Sequence, residues 1–69
     1  PTLIIHGKHD RLCPISEAYT LEAAIPNSKL VELPKIGHSP NIEAPEAFNE
    51  ALESFLTGVD EAYLFDHPL

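Results

Sequence analysis

Apolar residues fall into four groups along this chain: two short dense runs, and two longer stretches where they recur at helical intervals. Thr2-Leu3-Ile4-Ile5 is continuous and halts at His6-Gly7. An unbroken run suits a strand covered on both faces, as in a parallel sheet. A polar loop from Gly7 to Leu12 follows, and Pro14 is expected as the first residue of a helix. Between Ser16 and Ile25, the apolar residues Ala18, Leu21 and Ile25 recur at steps of three and four, which defines one helical face. Pro26 restricts Ile25 to extended angles, so the helix should stop there, with Asn27-Ser28 completing the break.

Lys29-Leu30-Val31-Glu32-Leu33 reads as a second, less apolar strand. Pro34 to Pro40 is expected to be a loop centred on Gly37-His38-Ser39. A second helix should begin at Pro45, with Glu43 and Glu46 placing negative charge at its N-terminus. Phe48, Leu52, Phe55 and Leu56 would form its inner face, opposite Asn49, Glu50 and Glu53. Gly58 is expected to cap it, and the tail from Val59 to Leu69 to add a short extra helix. The order strand, helix, strand, helix leaves room for a crossover helix, so the strands should be parallel with a right-handed connection. The fold class is therefore α/β, a partial parallel sheet in a single partial domain covering residues 1–69. No internal repeat, low-complexity segment or linker interrupts it.

Length limits what this pattern can bury. At 69 residues and 43% hydrophobic content the chain is globular in composition. A domain of about 60 residues nevertheless buries only about 60% of its unfolded surface. One cysteine, Cys13, allows no internal disulfide, and a lone thiol fits a reducing compartment. A net charge of −7 repels phosphate backbones, which argues against nucleic-acid binding. No apolar run approaches the ~20 residues of a membrane helix, and no signal-peptide pattern opens the chain. A cytoplasmic protein that does not enter membranes is expected.

Candidate chemistry follows from the topology. In an open parallel sheet, ligands sit at the carboxyl ends of the strands. Asp10 lies in the loop after the first strand and His38 in the loop after the second, so both reach the same edge. An aspartate that accepts the Nδ1 proton of a histidine fixes its tautomer and stabilises the imidazolium formed when it takes a proton. His6 and His9 are expected to shape the loop at the site edge, and Cys13 to pack half-buried. His6, His9, Asp10 and Cys13 are zinc-ligand types, but their spacing matches no standard structural zinc site. Neither a metal nor an organic cofactor is expected. Gly7 and Gly37 should serve turn geometry.

At this point the chain resembles a known family. Pro1 to Asp10 looks like the P-x-L-x-x-x-G-x-x-D segment of α/β-hydrolases, and Gly37-His38 resembles the Gly-His pair of that family. Glu43-Ala44-Pro45 with Phe48, Leu52 and Phe55-Leu56 resembles its terminal E-x-P helix. The similarity spans residues 1–56, leaving 57–69 as a tail. It implies that Asp10 is the acid and His38 the base of a nucleophile–acid–histidine triad that hydrolyses an ester, amide, lactone or related bond of a small-molecule substrate. Ser16, Ser28, Ser39 and Ser54 lie in no G-x-S-x-G motif. By this resemblance the nucleophile and oxyanion hole belong to an N-terminal portion before residue 1, and the chain alone should be inactive. The alternative is a non-catalytic truncated module. In either case, two strands and two helices leave apolar surface uncovered, so the isolated chain should self-associate, as a dimer, or pair with the missing portion.

Overall fold

Two six-residue strands form the spine of the computed structural model, which describes residues 1–67. The elements run β1 (Thr2–Gly7), α1 (Ile15–Ala24), β2 (Ser28–Leu33), α2 (Pro40–Glu43) and α3 (Pro45–Asp66). β1 and β2 pair in parallel, from Thr2 opposite Ser28 to Gly7 opposite Leu33. This is the expected strand–helix–strand unit, and α1 packs on both strands. The Tyr19 hydroxyl also donates to Glu32, tying α1 to β2.

α1 stops where the proline rule puts its end. Ile25 is extended (φ −100°, ψ 111°) ahead of Pro26, and its N–H still closes the last turn on the Leu21 carbonyl. Asn27 then turns the chain at φ 56°, in the left-handed region that Asn tolerates. The Ser28 hydroxyl lies 2.8 Å from the Ile25 carbonyl, and Thr2 N–H reaches the Asn27 carbonyl at 3.2 Å. At the other end Pro14 is the N-cap, one residue before its expected place, and Ile15 begins the helix.

Several expectations about faces and ends are corrected. In α1, Ala18 is buried (1% exposed), but Leu21 faces outward. On α3 the inner face is Phe48, Ala51, Leu52, Phe55 and Val59, whereas Leu56 is half exposed. α3 also runs unbroken through Gly58, which caps nothing, and absorbs the tail as far as Asp66. A mid-helix glycine costs only about 1 kcal/mol against alanine, less than the continuing hydrogen-bond ladder supplies. The helix ends at His67, whose N–H bonds the Tyr63 carbonyl and whose ring stacks on Tyr63 at 4.1 Å. Residues 68 and 69 of the tail lie outside the described residues. The loop after β2 contains α2, a single turn opened by Pro40, which the apolar pattern does not foreshadow.

The glycines act differently from expectation, since none has a positive φ. Lys35 takes the left-handed position in the loop instead, at φ 62°. Gly7 is needed for close approach: a Cβ there would collide with the carbonyl oxygens of Ile36 and Gly37 and lie 2.7 Å from the Ile36 carbonyl carbon.

The core is thin. Among the described residues, only Ala18 and Leu33 (8% exposed) are buried hydrophobics. β1, with the sequence of a strand covered on both faces, is only half-buried from Thr2 to His6. The radius of gyration is 13.7 Å, against about 11 Å for a compact chain of this length. Extents of 46 × 27 × 13 Å describe a slab rather than a globule. Leu12, Ile42, Tyr63, Leu64 and Phe65 (86% exposed) all present apolar surface.

Candidate active site

The parallel ladder continues past the strand ends. Lys8 N–H bonds the Leu33 carbonyl at 3.0 Å and His9 N–H bonds the Ile36 carbonyl at 2.9 Å. These two bonds join the loop after β1 to the end of β2 and to the loop that follows it, and Gly7 lets the backbones close to that distance. A further bond, Asp10 N–H to the Gly7 carbonyl at 3.1 Å, folds the first loop back on its strand.

Asp10 is thereby fixed at the carboxyl edge. Its Oδ1 accepts the N–H groups of Leu12 and Cys13, both at 2.9 Å, the local side-chain-to-backbone turn that Asp favours. Its Oδ2 accepts from His38 Nδ1 at 2.9 Å. The two residues are 28 apart in sequence, so tertiary structure alone brings them together. The Asp10 side chain is 5% exposed and that of His38 is 58% exposed. Burial pushes the Asp10 carboxyl up, but the bonds from Cys13 N–H, His38 and Leu12 N–H outweigh it, so its pKa falls below the ordinary value. A carboxylate held in this way stays ionised and keeps the His38 proton on Nδ1. Nε2 then carries the lone pair, and it has no hydrogen-bond partner among the described residues.

The neighbouring groups brace this pair. His6 Nε2 donates to the Cys13 carbonyl at 2.7 Å, closing the loop from the end of β1, and lies 3.7 Å from Asp10 Oδ2. His9 is exposed, and its contribution to the loop is its backbone N–H. The Glu43 carboxylate accepts Gly37 N–H and Ser39 N–H, each at 3.0 Å, on either side of His38. Sequence reasoning assigned Glu43 to a helix N-terminus and missed this contact. The readable signal was an acid four residues after the Ser39 N-cap, close to the capping-box spacing.

His6, Asp10 and Cys13 offer ligand atoms within 4.8 Å of one another, and His9 is not part of that group. Each is already engaged. Asp10 is bonded through both oxygens, His6 donates to a carbonyl, and Cys13 Sγ donates to Glu17 at 2.8 Å. That bond to Glu17, with burial and the charges of Glu17 and Asp10, pushes the Cys13 thiol up to about 11. At neutral pH it is a thiol, neither a nucleophile nor a ready ligand. Iodoacetamide should therefore modify Cys13 slowly at pH 7, with a rate that keeps rising to about pH 11. Glu17→Gln should speed the reaction at pH 7 on the order of 10–100-fold. Fast alkylation of the unsubstituted chain at pH 7 would contradict the hydrogen bond.

A groove between Asn27, Ser28, Lys29 and the α3 residues Ser54, Phe55 and Val59 opens at the opposite end of the strands. It is remote in topology from Asp10 and His38. No helix among the described residues is long and apolar enough to cross a membrane.

Comparison with known proteins agrees with the architecture. A model of the alpha/beta hydrolase fold family matches residues 1–45. The chain is 41% identical over 59 residues to a 2-hydroxymuconate semialdehyde hydrolase of Pseudomonas putida, covering 86% of this chain and 21% of that protein. It is 42% identical over 57 residues to a 2-hydroxy-6-oxo-6-(2'-aminophenyl)hexa-2,4-dienoic acid hydrolase of Metapseudomonas resinovorans, covering 83% and 20%. A pimeloyl–acyl-carrier-protein methyl ester esterase of Nitrosomonas europaea is 38% identical over 48 residues, covering 70% and 19%. No solved structure matches the chain significantly. The chain thus spans about a fifth of the length of these relatives. Two parallel strands with their helices form part of the fold that this family shares, and the chain belongs to the α/β-hydrolase fold family.

Proposed function

We propose that this segment supplies the acid and the base of a hydrolase whose nucleophile and oxyanion hole lie in an N-terminal portion of the full-length enzyme. The observation that carries the reading is the bond from His38 Nδ1 to an Asp10 carboxylate whose other oxygen accepts two backbone N–H groups, at the carboxyl edge of a parallel sheet. In the catalytic cycle, His38 Nε2 takes the proton of the nucleophile as it attacks, and Asp10 stabilises the imidazolium so formed. His38 then returns the proton to the leaving group and repeats the cycle with water, releasing the second product. Ester, amide, lactone and related bonds in a small molecule suit this chemistry. The names of the relatives specify hydrolysis of a 2-hydroxymuconate semialdehyde, of an aminophenyl-substituted hydroxy-oxo-dienoic acid and of a methyl ester, which favours a carbonyl compound as substrate. Since the lone thiol is in keeping with a reducing setting, we take the enzyme to be cytoplasmic.

The half-buried β1 and the exposed Leu12, Ile42 and Phe65 support an N-terminal portion packed against this slab, and self-association when that portion is absent. The 69-residue chain alone should sediment as a dimer or larger at micromolar concentration. It should hydrolyse p-nitrophenyl butyrate no faster than free histidine and should not label with a fluorophosphonate, because a base with nothing to activate is inert. Stoichiometric labelling of the chain alone would sink the division of labour proposed here. A sharply melting monomer would remove the argument from uncovered surface.

A further inference from the structure

The loop that carries His38 has few constraints of its own. His38 is exposed, and Lys35 holds the loop in a left-handed turn before it. The single turn α2 begins directly after Ser39. A side chain on such a loop would sample several positions relative to Asp10. The His9–Ile36 bond ties the start of the loop to its neighbour, and beyond it the peptides flanking His38 are restrained by one carboxylate. Glu43 Oε1 accepts Gly37 N–H and Glu43 Oε2 accepts Ser39 N–H, so the two peptides flanking His38 share one acceptor group. The backbone of Glu43 contributes as well, since its N–H bonds the Ser39 carbonyl at 2.9 Å. Residues 37–43 thus close into a ring through both main chain and side chain. The fit is close, because a Cβ on Gly37 would lie 3.1 Å from either Glu43 oxygen.

We propose that Glu43 is a positioning residue for the base, holding the Gly37–Ser39 backbone so that His38 Nδ1 stays within bonding distance of Asp10. This rests on the reading of Asp10 and His38 as acid and base. Glu43 need not touch the substrate. Its effect is on the fraction of time that His38 spends in the bonded orientation and in the Nδ1–H tautomer. Two charge-assisted bonds from rigid peptide donors suit that task better than a flexible contact would. Removing the carboxylate frees both peptides, and a misplacement of about 1 Å at a catalytic group costs on the order of 10²-fold in rate.

The test uses the full-length enzyme that carries this segment, with p-nitrophenyl butyrate as substrate and selective ¹⁵N labelling of histidine. Glu43→Ala should lower kcat about 10–100-fold with KM changed less than about twofold. The His38 nitrogen signals should move from the Nδ1–H tautomer to a mixture. Glu43→Gln, close in size and retaining one acceptor, should fall between the two. If Glu43→Ala does not fold, Glu43→Gln decides: wild-type kcat with the Nδ1–H tautomer intact overturns the proposal. A Glu43→Ala enzyme with unchanged kcat, or with only KM raised, overturns it too. His38→Ala separates the two levels of inference. If that variant is inactive while Glu43→Ala is not, only the positioning role fails; if it remains active, the acid–base reading fails and this proposal with it.

Discussion

Replacing His38 by alanine in the full-length enzyme should abolish turnover, a loss in kcat on the order of 10⁶, the scale reached when the base of a serine hydrolase is deleted. Nothing else among the described residues bonds to Asp10 Oδ2 within 3.5 Å, so no neighbour is placed to replace the imidazole. His6 lies 3.7 Å away but donates its Nε2 proton to the Cys13 carbonyl. Asp10→Asn should cost about 10⁴, as in the serine protease where the same change was made. The geometry explains why that variant isolates the chemistry. Asparagine keeps an oxygen for the Leu12 and Cys13 N–H groups, so the loop persists. Its amide nitrogen would face His38 Nδ1 with a donor, driving the ring proton to Nε2 and removing the lone pair that the base needs. Both variants should melt near the wild-type temperature, since His38 is exposed and the Asp10 loop is retained. Turnover unaltered in His38→Ala would refute the assignment of the base.

The second large effect is structural. Gly7→Ala should destabilise the protein by about 3 kcal/mol or more, the upper end of overpacking costs. The added methyl would run into the Ile36 and Gly37 backbone rather than into a side chain that could swing away. Relief requires the β1 end to part from the loop after β2, which breaks the Lys8–Leu33 and His9–Ile36 bonds. Those bonds hold Asp10 against His38, so any Gly7→Ala enzyme that does fold should also lose activity. Denaturant unfolding of the full-length enzyme measures the first effect. A midpoint equal to that of the wild type would show that the two backbones are not in the close contact described here.

What could be read from the sequence was what local sterics or topology determine. Pro26 ends α1 because its ring restricts Ile25, whatever the surroundings. A ten-residue helix between two strands makes them parallel, and parallel strands put Asp10 and His38 at one edge. Features that depend on neighbours were not legible. Leu21 and Leu56 fit a helical stripe, yet they are exposed, because the slab offers them no facing surface. Gly58 resembles a cap only if the helix has a reason to end there, and the hydrogen-bond ladder gives none. Gly7 was recognisable as a needed glycine, but the reason, contact with a backbone some thirty residues later, exists only in the folded chain. The clamp formed by Glu43 has the same character: its partners are close in sequence, but the loop shape that turns them toward one carboxylate is tertiary.

The unbroken course of α3 through Gly58 joins a packed half of the helix to a solvated one. At about 1.5 Å per residue its 22 residues extend about 33 Å, and the inward-facing side chains end at Val59. The first half is held by Phe48, Leu52 and Phe55 against the rest of the molecule, whereas residues 60–67 are all exposed. Beyond Val59, the turns are maintained by intrinsic helical preference and the local Tyr63–His67 stack, and short solvated segments of this kind are marginal in water. Opening there needs no change in the sheet, so backbone amides past Val59 should exchange with solvent through local fraying, and those before it only through a larger opening. The end of the helix is thus expected to melt and reform without disturbing Asp10 and His38 at the sheet edge.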